Sequence, residues 1–152
     1  MKKICFLLIF VIGLMEAQNS RTEYTDLMLK SEKSELATKQ FLAKAKHDFQ
    51  ETKSPVYESY IGVGNFFMAK HAINPFSKMS YFKKGKKYLE SAVAKAPNNL
   101  EIRFMRYTCQ VEMPSFLGYN KNIVEDKKFI EENYKNSKDL TLVKQIDGFL
   151  KN

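Results

Sequence analysis

The run Gly85-Lys86-Lys87-Tyr88-Leu89-Glu90-Ser91-Ala92-Val93-Ala94-Lys95-Ala96-Pro97 limits the possible folds of this chain more than any other stretch. Gly85, Leu89 and Ala92 stand four and then three residues apart. They therefore share one face of a helix, and Pro97 ends that helix soon after them. Two of the three positions are small, so a second helix can approach that face closely. Such a face belongs to paired helices, and no segment of the chain shows the sustained period-two alternation that a half-buried strand requires. The expected fold class is all-α.

Other helices can be placed around this one. From Ser34, the residues Thr38, Phe41, Leu42, Ala45 and Phe49 fall on one face. Ser54-Pro55 starts the next helix, because serine caps free amides and proline is tolerated in a first turn. That helix runs through Tyr57 to about Ile73, with Tyr60, Val63, Gly64 and Phe67 as its packing residues. Asn74-Pro75-Phe76-Ser77 breaks it, and a helix from about Lys78 to Ala96 follows. Asn98 with Glu101 has the shape of a capping box opening a further helix, with Leu100, Phe104, Thr108 and Val111 on one side. Met113 to Tyr119 interrupts the periodicity. Asn122 and Glu125 open a helix with Ile123, Lys127, Ile130 and Tyr134 along a stripe, and a last helix from about Asp139 groups Ile146, Phe149 and Leu150. Short connections make successive helices antiparallel neighbours.

The N-terminus has a different character. Lys2 and Lys3 precede an apolar run from Ile4 to Leu14, and Met15-Glu16-Ala17 is a small-residue cleavage context. Residues 1–17 are expected to be a cleaved signal peptide, since about 11 apolar residues fall short of the roughly 20 that span a bilayer. The protein is then periplasmic or secreted, and not membrane-spanning. Cleavage removes Cys5 and leaves Cys109 alone, so no intrachain disulfide can form and the core must hold the domain. It also lowers the net charge from +8 to +7, because Lys2, Lys3 and Glu16 leave together. For an exported basic protein, anionic glycans, lipid head groups or acidic proteins are the relevant partners, and nucleic acid is not expected. Residues 18–33 read as a polar N-terminal arm or a weak helix, and 34–152 as the helical domain.

Two of these helices share a spacing. Tyr60-x-x-Val63-Gly64-x-x-Phe67 and Gly85-x-x-x-Leu89-x-x-Ala92-x-x-x-x-Pro97 resemble the two halves of a tetratricopeptide repeat, a helix-turn-helix unit. The halves sit about nine residues further apart than in a 34-residue unit. The chain also resembles exported bacterial proteins of tetratricopeptide-like type that carry Asn-Pro-Phe-Ser-Lys and Pro-Ser-Phe-Leu-Gly-Tyr-Asn segments. The resemblance implies a stack of antiparallel helical hairpins with five or six helices: hairpins from Ser54 to Ala96 and from Asn98 to Lys135, a helix before them and a capping helix after.

In such a stack, equivalent turns emerge on one edge, and insertions there often build the binding face. Phe76, Tyr81 and Phe82 are thereby expected beside Phe116 and Tyr119, with Lys78, Lys83, Lys84 and Lys87 nearby. These residues either hold an anionic or acidic partner, or pack the turns together while the lysines solvate the outer face. Arg103 and Arg106, with Asn65, are a second candidate, because tetratricopeptide modules that grip a peptide carboxylate use Lys, Arg and Asn from successive first helices. The alternative is salt bridging to a neighbouring glutamate.

Nothing points to catalysis. There is no glycine-rich phosphate loop, nucleophile elbow or paired-carboxylate motif, and His47 and His71 lack partners at metal-ligand spacing. No enzyme activity, cofactor or metal is expected. The expected function is a helical scaffold that binds a protein or peptide partner, and the alternative is a binder of anionic envelope glycan or lipid head groups through the basic, aromatic edge.

Overall fold

The computed structural model describes residues 21–151, so the expected signal peptide lies outside the described residues. Seven α-helices and two single-turn 3-10 helices follow one another, and the described residues contain no strand. In chain order they are α1 (residues 21–31), α2 (Glu35–Thr52), α3 (Pro55–His71), α4 (Pro75–Lys95), α5 (Leu100–Glu112), α6 (Ile123–Asn133) and α7 (Leu140–Leu150). The 3-10 turns are Ser115–Leu117 and Tyr134–Asn136. Helices α3/α4 and α5/α6 are the two antiparallel hairpins, with α2 before them and α7 after, in keeping with a tetratricopeptide-like stack. The helix beyond the five or six expected is α1. None of the described helices is long and apolar enough to cross a membrane.

Several boundaries move, each by capping chemistry. Ser54 caps α3 with Pro55 in its first turn, as its sequence indicates. Asn74-Pro75 does the same for α4, which therefore starts at Pro75 and not near Lys78. The Asn74 side chain accepts from the amides of Phe76 (2.8 Å) and Ser77 (3.4 Å). Asn99 rather than Asn98 caps α5, accepting from Ile102 N at 3.1 Å. Gly118 takes φ 62°, a left-handed conformation that glycine adopts without steric cost, and so ends the 3-10 turn after α5.

The α3/α4 pair is the tightest joint. A Cβ placed on Gly85 would lie 2.9 Å from the Gly62 carbonyl oxygen and 2.8 Å from the Phe66 ring. One on Gly62 would lie 3.0 Å from the Gly85 carbonyl oxygen and from Leu89. Backbone meets backbone there, so both positions must be small. Gly64 serves another joint, since a Cβ on it would meet the Leu42 side chain of α2 at 2.7 Å. Along α3/α4, Glu58 meets Lys95 at one end and Phe66 meets Gly85 and Phe82 further up. Continued, this register sets His71 level with about residue 80. The start of α4 thus has no α3 residue opposite it. At 1.5 Å per residue it projects about 8 Å beyond its partner, and every residue from Ile73 to Ser80 is exposed.

Helix α1 lies across the stack. Its Tyr24, 1% exposed, sits among Phe41 of α2 and Tyr57 and Tyr60 of α3, with the Tyr24 and Tyr60 ring centroids 4.4 Å apart. Arg21 donates to Glu101 of α5 at 2.5 Å and pairs with Asp139 at the start of α7. Thr25 accepts from Gln145 of α7 at 2.5 Å. Residues 21–31 are a helical part of the core and not an arm.

Candidate functional site

Arg103 and Arg106 lie on α5, buried against α6 and the end of α4. Arg106 donates to both oxygens of Asp126, Nε to Oδ2 at 2.7 Å and Nη2 to Oδ1 at 2.8 Å, and its Nη1 reaches Glu90 of α4 at 3.2 Å. Arg103 pairs with the same Asp126, donates to Glu125 at 2.8 Å and stacks over Phe129 with its guanidinium 4.8 Å from the ring centroid. The backbone oxygen of Pro97 accepts a further bond from it at 3.3 Å. Asp126 is fully buried, and the two arginines are 7% and 4% exposed. Hydrogen bonding to Arg103 and its charge lower the pKa of Glu125. Asn65, the third member of the anticipated carboxylate clamp, donates to Ile61 O on its own helix at 2.8 Å. These three residues do not converge. The arginines form an ionic joint between α4, α5 and α6, which is the salt-bridging alternative.

The aromatic residues separate into two groups. Phe66, Phe82 and Tyr119 form a cluster with ring centroids 5.8 to 6.3 Å apart. Tyr119 is buried and donates to Glu90 at 2.6 Å, while Lys86 lies over its ring. Burial, then the bond to Glu90, raises the Tyr119 pKa. Phe82 and Tyr119 thus meet across the two turns as anticipated, and they meet by packing. Tyr81 is half-buried with Lys84 over its ring. Phe76 and Phe116 are 86% and 85% exposed and make no ring contact among the described residues.

The lysines divide as well. Lys84 and Lys87 line a shallow recess of about 290 Å³ with Glu58, Tyr88 and Ser91. The Glu58 carboxylate there is held by Lys95 at 2.8 and 2.9 Å and by Ser91 at 2.8 Å. Lys78 and Lys83 stand exposed nearer the start of α4. Among the described residues no group of three His, Cys, Asp or Glu side chains is placed to hold a metal ion. Burial pushes the Cys109 thiol up to about 12, which keeps it protonated and unreactive near neutral pH.

The turn end of the stack carries what these pairings leave open. Among the described residues nine large apolar residues are exposed, and eight of them sit at or near the α1/α2, α3/α4 and α5/α6 turns: Leu29, Leu36, Ile73, Phe76, Met79, Val111, Phe116 and Val124. Leu140 alone is at the other end. Antiparallel succession brings those three turns to one end. Sequence reasoning singled out Phe76 and Phe116 for this surface and grouped Val111 with the packing side of its helix, where it is 42% exposed. Leu29, Leu36, Ile73, Met79 and Val124 were not singled out, because exposure follows from helix registers that spacing alone does not supply.

In class, this is a stack of antiparallel helical hairpins whose inner face is filled by its own α1 and whose turn end is exposed and apolar. No protein-family model, curated protein or solved structure matches the chain.

Proposed function

We propose that this protein is an exported, tetratricopeptide-like scaffold without catalytic activity, which works by presenting its turn end to a partner in the periplasm or outside the cell. One observation carries the reading: among the described residues, eight of the nine exposed large apolar side chains gather at one end of the stack. Exposed apolar residues scattered singly are ordinary, whereas a gathered set marks an interaction surface. A peptide partner in the inner groove is the weaker form of this reading, because α1 lies against α3, α5 and α7 there. A protein surface or an anionic envelope component meeting the turn end is the stronger form.

A photo-crosslinking amino acid placed at Phe76, Phe116 or Leu140 in the native envelope tests it. Adducts of any kind at positions 76 and 116, absent at 140, are the expected result. No adduct at 76 or 116 would remove the binding role of this end.

A further inference from the structure

We infer that the occupant of the turn end is an anionic lipid surface, into whose headgroup layer Phe76 and Phe116 insert. This rests on the reading above, that the turn end is the binding end, and adds what it binds.

Shape is the first argument. The most exposed apolar side chains are carried by two different segments of the chain. They sit on separate projections: the α3/α4 turn with Ile73 94% exposed together with the first turn of α4, which extends beyond α3 with Phe76 86% exposed, and the short 3-10 turn that carries Phe116 at 85%. A folded partner would need a separate pocket matched to each projection. A fluid interface yields to each independently, and apolar side chains inserted at headgroup depth are stabilised by loss of water contact.

Charge is the second argument. At the three turns the carboxylates Glu32, Glu35 and Glu125 are matched by Lys70, Lys39 and Arg103, which leaves Glu112. Against it stand Lys30, Lys33, Lys78 and Lys121, all exposed and without an ion pair among the described residues. The first turn of α4 holds no acidic residue, so the end that projects furthest carries Lys78 beside Phe76 with no opposing charge. Cations close to an anionic surface add attraction that salt screens, and apolar insertion adds a part that salt does not. The turn end supplies both.

The test uses the protein as its own cell processes it, with variants sharing the same N-terminus, and vesicles of phosphatidylcholine alone or in equal parts with phosphatidylglycerol. Sedimentation should show binding at least about tenfold tighter to the anionic vesicles, weakening as salt rises. Phe76→Ser and Phe116→Ser should each weaken it by about tenfold, and Lys78→Glu should weaken it most at low salt. Leu140→Ser, at the opposite end, should leave it unchanged. Because positions 76, 116 and 140 are all exposed, the variants should keep the wild-type helical circular dichroism. Equal binding to both vesicles, or equal loss from Leu140→Ser and Phe76→Ser, would overturn the inference. Photo-adducts at positions 76 and 116 that are exclusively protein would overturn it and leave the scaffold reading standing, whereas no adducts would end both.

Discussion

Asp126 is a single enclosed carboxylate shared by two buried guanidinium groups, each of which has a second, more exposed partner in Glu125 or Glu90. Removing its charge would leave the two arginines with only the more exposed carboxylates Glu90 and Glu125, and breaking a buried ion pair is among the costliest single changes. Asp126→Asn is therefore expected to lower stability by roughly 3 to 5 kcal/mol in urea unfolding. Glu125→Gln, which loses a partner that is 63% exposed, should cost less than about 1 kcal/mol. A similar cost for both would show that Asp126 is not the keystone of the joint. Half of this joint was legible in advance. Arg103 and Arg106 stand out where α5 should present large apolar residues, but Asp126 resembles any other acidic residue on a charged helix. The stripe read from Ile123, Lys127 and Ile130 passed it by. Only the antiparallel register of α5 and α6, which sets residue 106 against residue 126, reveals it.

Helices α3 and α4 touch through Gly62 and Gly85, so the contact tolerates no added carbon without moving a backbone. Gly85→Ala gains up to about 1 kcal/mol of helix propensity, yet overpacking at such a joint costs about 1 to 3 kcal/mol. The expected net result is destabilisation, measured as a lower urea midpoint. A midpoint at or above that of the wild type would mean that the helices can separate freely. The small face of α4 was readable from Gly85 and Ala92, but its matching small residue was not. Gly64 fits the repeat pattern and packs instead on α2, while Gly62 does the work opposite Gly85. The start of α4 was misjudged for a related reason. Ser54-Pro55 and Asn74-Pro75 are the same chemical signal, but the second follows directly on a helix and looks like a break. The nine or so additional residues between the repeat halves lengthen α4 at its start, which is why Phe76 projects.

The molecule as a whole is closed by α1, and its tyrosines report the closure. Burial, aided by bonds to Asp48 and Glu90, raises the pKa values of Tyr24 and Tyr119, and burial together with the Glu101 charge raises that of Tyr60. A group with a raised folded-state pKa contributes stability that is present below its unfolded value and is lost as pH rises toward the folded one. For tyrosine the unfolded value is about 10, so stability should hold to about that pH and fall above it. Tyr24, Tyr60 and Tyr119 should then ionise only as the helical signal collapses, so part of the rise in phenolate absorbance should coincide with helix loss. A single titration completed before helix loss would contradict their enclosure. None of this could be read from the sequence before residue 34, because Arg21 and Thr25 find their partners at Glu101, Asp139 and Gln145, far away in sequence.

The bond between Thr25 and Gln145 also has a consequence in time. Hairpin stacks can ordinarily consolidate one unit after another, each on its neighbour. Here the earliest described helix and the last one hold each other, so α1 is made first but completes its contacts only once α7 exists. Until then Arg21 lacks Asp139 and Thr25 lacks Gln145, and a growing chain keeps that part of its surface unsatisfied until residue 145 has arrived.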